Sequence, residues 1–275
     1  MSKSIISTAV AGVLLALGSQ TAIAAPDWSK VAKRDLHVFH AAVTPIEWVT
    51  KKSDHSGSAG MRKGESCAGC HEEKGSLNLN FKRLADKELE PKGAPKTMTF
   101  PVGFQAAYDK DNLYIRLSFK PPSGGADKGD KDNELKATIL FADAKVPQGA
   151  QYGCWQSCHG DARTMPGAAD DKKTKYTKEG AYELVQWASK GNKVSDGSVT
   201  TERKMTGGTT GAKAEGGKSG DAYTITFTRK NPGEGKAVPF GVAIHADNAS
   251  GRFHHVSLGY TLGIGADGDI KATKQ

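Results

Sequence analysis

The chain has 275 residues, 25% of them charged and 37% hydrophobic, which suits folding around one sizeable core, with or without a small satellite region, and excludes a chain disordered throughout. Its formal charge is +8, but the lysines are scattered among Gly and Asp and no nucleic-acid motif accompanies them. The basic balance therefore points to an acidic protein partner or an anionic surface, and away from nucleic acid.

The first residues have the three parts of a secretory signal peptide: Lys3 as the basic region, Ile5 to Leu17 as the apolar stretch, and Ala22-Ile23-Ala24 as the small-residue cleavage site. The apolar run is interrupted by Ser7, Thr8, Gly12 and Gly18 and falls short of the ~20 residues that span a bilayer, so cleavage after Ala24 and no remaining transmembrane anchor are expected. The mature chain is then an exported, periplasmic protein. Leu36 to His40 reads as a short strand running towards Trp48-Val49, with a bend at Pro45. A polar, glycine-rich loop from Lys51 to Gly60 follows, and its one ligand-type side chain is His55, twelve residues before Cys67.

Cys67-Ala68-Gly69-Cys70-His71 is the haem-attachment pentapeptide of c-type cytochromes. Each thiol can add across a porphyrin vinyl group, and the histidine then lies beneath the ring as an axial ligand to iron. A CxxC redox pair and half of a zinc site share the cysteine spacing, but neither calls for an immediate histidine or an export signal. A looser version, Cys154-Trp155-Gln156-Ser157-Cys158-His159, has one more residue between the thiols; alone it also fits a disulfide between Cys154 and Cys158. Only four cysteines are present, all in these two clusters, and both clusters end in Cys-His, so two covalently attached haem c groups are expected, with His71 and His159 as iron ligands.

Between and after the clusters the dominant period is two. Leu77 to Lys96 reads as a surface wrap closing the first haem region. Val102 to Tyr108 and Leu113 to Phe119 flank a turn at Asp109-Lys110-Asp111-Asn112, a hairpin that buries Leu113, Ile115, Leu117 and Phe119. A Gly/Asp/Lys loop from Pro121 to Asn133 leads to a strand at Ala137 to Phe141. Tyr182 to Trp187 suits a helical turn or a strand equally, and Thr206 to Gly220 reads as a mobile hairpin tip. Strands are expected at Tyr223 to Thr228, Val238 to His245 and His254 to Leu262. The fold class is thus mainly β, an antiparallel sandwich (97–275) with a haem-bearing N-terminal loop region (25–96) behind the leader (1–24).

Several segments resemble a known family. Ala107 to Ile115 resembles the hairpin of haem- and sugar-binding sandwich domains. Gly153 to His159, Arg163-Thr164-Met165-Pro166 and Arg252 to Gly259 are similar to the periplasmic cytochromes related to the haem-binding γ subunit of ethylbenzene and dimethylsulfide dehydrogenases. The resemblance implies an immunoglobulin-like sandwich and electron transfer, with dehydrogenase chemistry belonging to a separate molybdenum subunit. In those γ subunits a b-type haem is held by a Met and a Lys; Cys154, Cys158 and His159 depart from that pattern. The expected function is electron transfer between respiratory redox partners with acidic docking surfaces. The alternatives are a dihaem enzyme of peroxidase type with one open iron site, or a haem-based sensor or ligand-binding module.

The distal ligands are expected elsewhere. His55 is first choice for the first haem, ahead of His40, His37 and Met61. For the second, pairing Ile244 with Val256 places residues whose numbers sum to 500 opposite each other, so His245 faces His255, and Gly241 and Gly259 leave a bare sheet face for a flat macrocycle. His255 and then His245 are the candidates, with His254 turned to the core and Met165 the sulfur alternative; a slip of one residue would exchange these roles.

Overall fold

A computed structural model describes residues 25–41, 46–52, 55–73, 76–81, 97–122, 134–146, 148–157, 176–177, 179–246 and 254–275. The expected leader, most of the wrap from Leu77 to Lys96, and Cys158, His159 and Met165 lie outside the described residues. In chain order come β1 (Lys33–Phe39), α1 (Ile46–Thr50), α2 (Ser58–Arg62), α3 (Cys67–His71), the small hairpin β2 (Glu72–Glu73) and β3 (Ser76–Leu77), then β4 (Thr99–Tyr108), β5 (Asn112–Phe119) and β6 (Lys136–Ala142). A short helix α4 (Gly149–Tyr152) passes directly into a 3-10 turn (Gly153–Gln156). There follow β7 (Tyr182–Ala188), β8 (Lys193–Val199), β9 (Arg203–Lys204), β10 (Lys213–Ser219), β11 (Ala222–Lys230), β12 (Lys236–His245), β13 (His255–Ser257), β14 (Tyr260–Ile264), β15 (Ile270–Lys271) and β16 (Thr273–Lys274).

The strands other than β2 and β3 form one sheet, whose main path runs β10-β11-β5-β4-β1-β13-β12-β6-β7-β8-β9. Its long pairings are antiparallel; β14 with β15 and β16 with β4 are short parallel ones. The sheet curls so that its two halves face each other. Phe104 of β4 stacks on Phe240 of β12 at 4.8 Å between ring centroids, and Trp187 of β7 meets Tyr223 of β11 at 6.4 Å. The expected antiparallel β body is therefore present as one continuous sheet folded over on itself. The N-terminal region contributes to it directly, since β1 lies between β4 and β13.

The β4–β5 hairpin turns where the sequence says it must. Asp109 accepts from the backbone N–H groups of Asp111 and Asn112 at 2.8 and 2.7 Å, an Asx-type turn, and Leu113, Ile115, Leu117 and Phe119 are all buried beyond it. Two expectations resolve differently. Tyr182 to Trp187 is a strand, because β6 and β8 offer it a ladder on both sides. Trp48-Val49 falls in a helix, α1, where an extended segment was expected; Pro45, the expected bend, lies outside the described residues. The segment from Thr206 to Gly220 is partly the regular strand β10, paired along its length with β11.

At the C-terminal hairpin the register changes within one strand pair. Phe240 pairs with Tyr260 and Val238 with Leu262, as the sum of 500 requires, but Ala243 pairs with Val256 and Ile244 with His255, a sum of 499. One extra residue is accommodated around Leu258-Gly259, a β-bulge. There the Val242 N–H turns to the Ser257 hydroxyl (2.9 Å), and the Gly259 N–H donates to the Gln151 carbonyl (2.9 Å). The expected His245–His255 pairing is thus corrected: His255 sits opposite Ile244 in the core.

The glycine face is not bare either. A side chain at Gly241 would run into the backbone of Gly153 and Cys154, and one at Gly259 into Ala150 at 2.6 Å. These glycines let α4 and the 3-10 turn lie directly on the sheet, which takes the place expected for a macrocycle. Gly153 itself has φ 51°, and a Cβ there would come within 2.9 Å of the Leu258 carbonyl, so the position accepts only glycine.

Candidate haem-attachment site

α3 is the pentapeptide itself. Ser66 caps it, its hydroxyl accepting from the Gly69 N–H at 3.3 Å. Helical spacing of three and four residues places Cys67, Cys70 and His71 on one side of the turn, where two thiols and an imidazole can address one flat ring. Cys67 is buried and Cys70 exposed, and they are not joined in a disulfide. Burial, reinforced by Cys70, pushes the Cys67 thiol up to about 12. A CxxC oxidoreductase needs its leading thiol lowered, so this pair is unsuited to disulfide exchange.

His71 is oriented by its backbone surroundings: Nδ1–H donates to the Asn78 carbonyl at 2.7 Å, which leaves Nε2 as the ring's lone-pair nitrogen. No side-chain signal marks Asn78 in the sequence, because its contribution is a backbone oxygen. Across from His71 stands His55, with ring centroids 5.8 Å apart and planes 32° from parallel. The earlier rivals are occupied elsewhere. His37 is buried beside Glu72, His40 donates through Nδ1 to the His254 carbonyl at 3.3 Å, and Met61 is buried in the core.

Glu72, directly after His71, ties the site to the sheet. Its side chain, only 7% exposed, accepts from Arg34 at 2.8 Å and from the Tyr260 hydroxyl at 2.9 Å, and its Oε1 lies 3.5 Å from His37 Nδ1. Arg34 also lies over the Tyr260 ring, 5.2 Å from its centroid. Reading the sequence missed this cluster, since its members are joined only by tertiary pairing.

The second cluster is described as far as Ser157. Cys154 is buried in the 3-10 turn, and Trp155 meets the Phe39 ring edge-on at 5.3 Å. The turn lies on the face of β12 that carries Gly241, Ala243 and His245 by alternation. Beyond the bulge His254 comes beside His245, with centroids 5.0 Å apart. His255 lies 1% exposed; its Nε2–H donates to the Thr97 carbonyl at 2.7 Å, and burial lowers its pKa to about 4, so it remains neutral. The arrangement joins Cys67, Cys70, His71 and His55 at one place and puts His245 on the same face of β12 as the Cys154 turn, with His254 beside it and His255 withdrawn. Thiols in place to form thioethers and an anchored imidazole fit a covalently attached haem.

Fold and site together define a class: a mainly β protein that displays a haem-attachment sequence on a short helix. The chain belongs to the family described as ethylbenzene dehydrogenase, whose family model matches residues 25–274. It is 49% identical over 255 residues to cytochrome c-551 of Rhodocyclus tenuis, covering 91% of this chain and all of that one. It is 47% identical over 294 residues to cytochrome c-552 of Stutzerimonas stutzeri, covering both chains fully. Among solved structures, a family 9 carbohydrate-binding module from Caldicellulosiruptor kristjanssonii in complex with cellotriose matches 57% of this chain and 64% of its own, at 9% identity and a TM-score of 0.33, too low to carry an inference. No helix among the described residues is long and apolar enough to cross a membrane.

Proposed function

We propose that the chain is a periplasmic c-type cytochrome that carries electrons on two haem c groups, one on Cys67, Cys70 and His71 and one on Cys154, Cys158 and His159. The observation that carries this reading is the pair of imidazoles at the first site. The His55 and His71 rings stand with their centroids 5.8 Å apart, so both could donate to one haem iron. His55 and His71 would then both hold the iron, which favours an electron carrier over a peroxidase or sensor with an open iron. The two curated relatives, both named as cytochromes c, support the same reading.

The bound haem supplies a one-electron couple at iron. The protein residues do the rest. Cys67 and Cys70 would hold the ring by thioethers, while Asn78 fixes the tautomer of His71, and Glu72 with Arg34 and Tyr260 holds the end of α3 to the sheet. For the second group His245, on the face of β12 against which the Cys154 turn packs, or its neighbour His254 would supply a further imidazole; His255 is committed to Thr97. The basic surface is suited to acidic redox partners, with association weakening as salt rises.

Intact mass of the mature protein, expressed with haem-maturation machinery, tests both attachments together. Two haems are expected, and one would remove the second cluster from the reading. The variant His55→Ala is expected to turn the first haem high-spin. An unchanged low-spin absorption spectrum in a protein still holding both haems would overturn the axial assignment.

A further inference from the structure

Gln151 is held by the sheet and in turn holds the corner between α2 and α3. Its carbonyl accepts from the Gly259 N–H at the β-bulge (2.9 Å), and its own N–H donates to the Gln148 carbonyl (2.9 Å), which fixes it on α4. The side chain is buried, and Nε2 donates to two backbone carbonyls, Met61 at 2.9 Å and Glu65 at 2.5 Å. Gln148 also reaches the Met61 carbonyl, but at 3.4 Å, a longer and weaker bond.

The two acceptors belong to different arms of the first site. Met61 lies in α2, which follows His55 closely: the His55 carbonyl accepts from the Ser58 N–H and the Gly57 carbonyl from the Met61 N–H, both at 3.1 Å. Glu65 directly precedes Ser66, the cap of α3, the helix of Cys67, Cys70 and His71. Between the arms the chain turns back on itself, the Gly64 N–H donating to Met61 at 3.0 Å and the Glu65 N–H to Gly60 at 3.1 Å. Those bonds are local and move with the turn, whereas the Gln151 amide ties it to the body of the protein. Two buried carbonyls stripped of that donor must find another or expose themselves to water, so the corner lifts from α4 when the amide is lost.

We propose that Gln151 is a positioning residue for the first haem: by clamping the Met61 and Glu65 carbonyls it keeps the His55 arm at the place where its ring stands beside His71. This rests on the reading above that His55 and His71 hold one iron. His71 has its own support in the Asn78 carbonyl and in the cysteines of its helix, so a loosened corner acts on His55. A ligand that leaves the iron more often admits an external one more readily.

The test mixes ferric mature protein, its haem count established by mass, with excess cyanide and records the rate of spectral change. The bands that turn high-spin in His55→Ala identify the first haem; if none do, the ligand reading falls and the proposal with it. Gln151→Met keeps the length of the side chain and removes the donor. It is expected to raise the cyanide rate at the first haem about tenfold, equivalent to ~1.4 kcal/mol. Gln105 is the control, because its amide also bridges two backbone carbonyls, those of Trp28 (2.9 Å) and Val31 (2.8 Å), and neither belongs to the site. Gln105→Met is expected to leave the rate at the wild-type value whatever it does to stability. With His55 confirmed as a ligand, a wild-type rate in Gln151→Met, or an equal rise in Gln105→Met, overturns the proposal. Should Gln151→Met not fold, Gln151→Asn decides: its amide is one methylene short of both carbonyls, a faster rate is expected, and a wild-type rate overturns the proposal.

Discussion

His55 owes its place to a neighbour that has no side chain. A Cβ added at Gly57 would come within 2.9 Å of the His55 Cε1, so the ring lies directly over that glycine. Gly57→Ala must displace the imidazole from its present place beside His71 while leaving every ligand atom present. We expect a mixture of low- and high-spin haem at the first site, read from the visible spectrum, with thermal stability changed by no more than about 1 kcal/mol. A wholly low-spin spectrum would show that His55 is not held there as a ligand. At this scale the sequence drew attention to Cys67, Cys70, His71 and His55 by side-chain type and local spacing, and the structure brings His55 beside the His71 of the same short helix. The sequence was silent on Glu72, whose partners Arg34 and Tyr260 lie 38 and 188 positions away, and on Asn78, which acts through a backbone oxygen that any residue could supply.

Alternation was a reliable guide to the strands. It located the β4–β5 hairpin and the buried set on β5 because every second position there meets the core. It failed at the C-terminal hairpin because periodicity carries no record of a bulge: a single inserted residue at Leu258-Gly259 leaves the pattern on both sides intact while moving His255 inward and His254 to the side of His245. The glycines at 241 and 259 were legible as a smooth surface but not as a surface already covered by chain. Gly241→Ala would place a methyl against the Cys154 backbone nitrogen, which belongs to a packed turn and cannot rotate away as a side chain would. We expect a loss of about 1–3 kcal/mol, measured by denaturant unfolding, together with protein that gains the first haem but a reduced share of the second by mass. Full incorporation at both clusters with unchanged stability would mean that the 3-10 turn is not anchored where it lies.

Over the whole molecule, the core and the first haem site are coupled through few residues. Phe240 is at the centre of the folded-over sheet, stacked on Phe104 of the opposing half and flanked by Phe141 at 6.4 Å and Tyr260 at 5.9 Å. Tyr260 continues to the carboxylate of Glu72, one residue past His71. Truncating Phe240 removes a fully buried ring and opens a cavity between the halves, which costs about 3–5 kcal/mol. Arg34 holds the Glu72 carboxylate at 2.8 Å in addition to the Tyr260 hydroxyl, and Tyr260 stays in its strand pairing with residue 240 through the backbone, so below the unfolding transition the haem spectrum of Phe240→Ala should match that of the wild type. The expected outcome is thus a much lower midpoint in calorimetry with unchanged low-spin bands at 25 °C. Haem bands that alter well before the sheet unfolds would instead show that the packing of the folded-over sheet positions α3, and that the Glu72 cluster alone does not hold it.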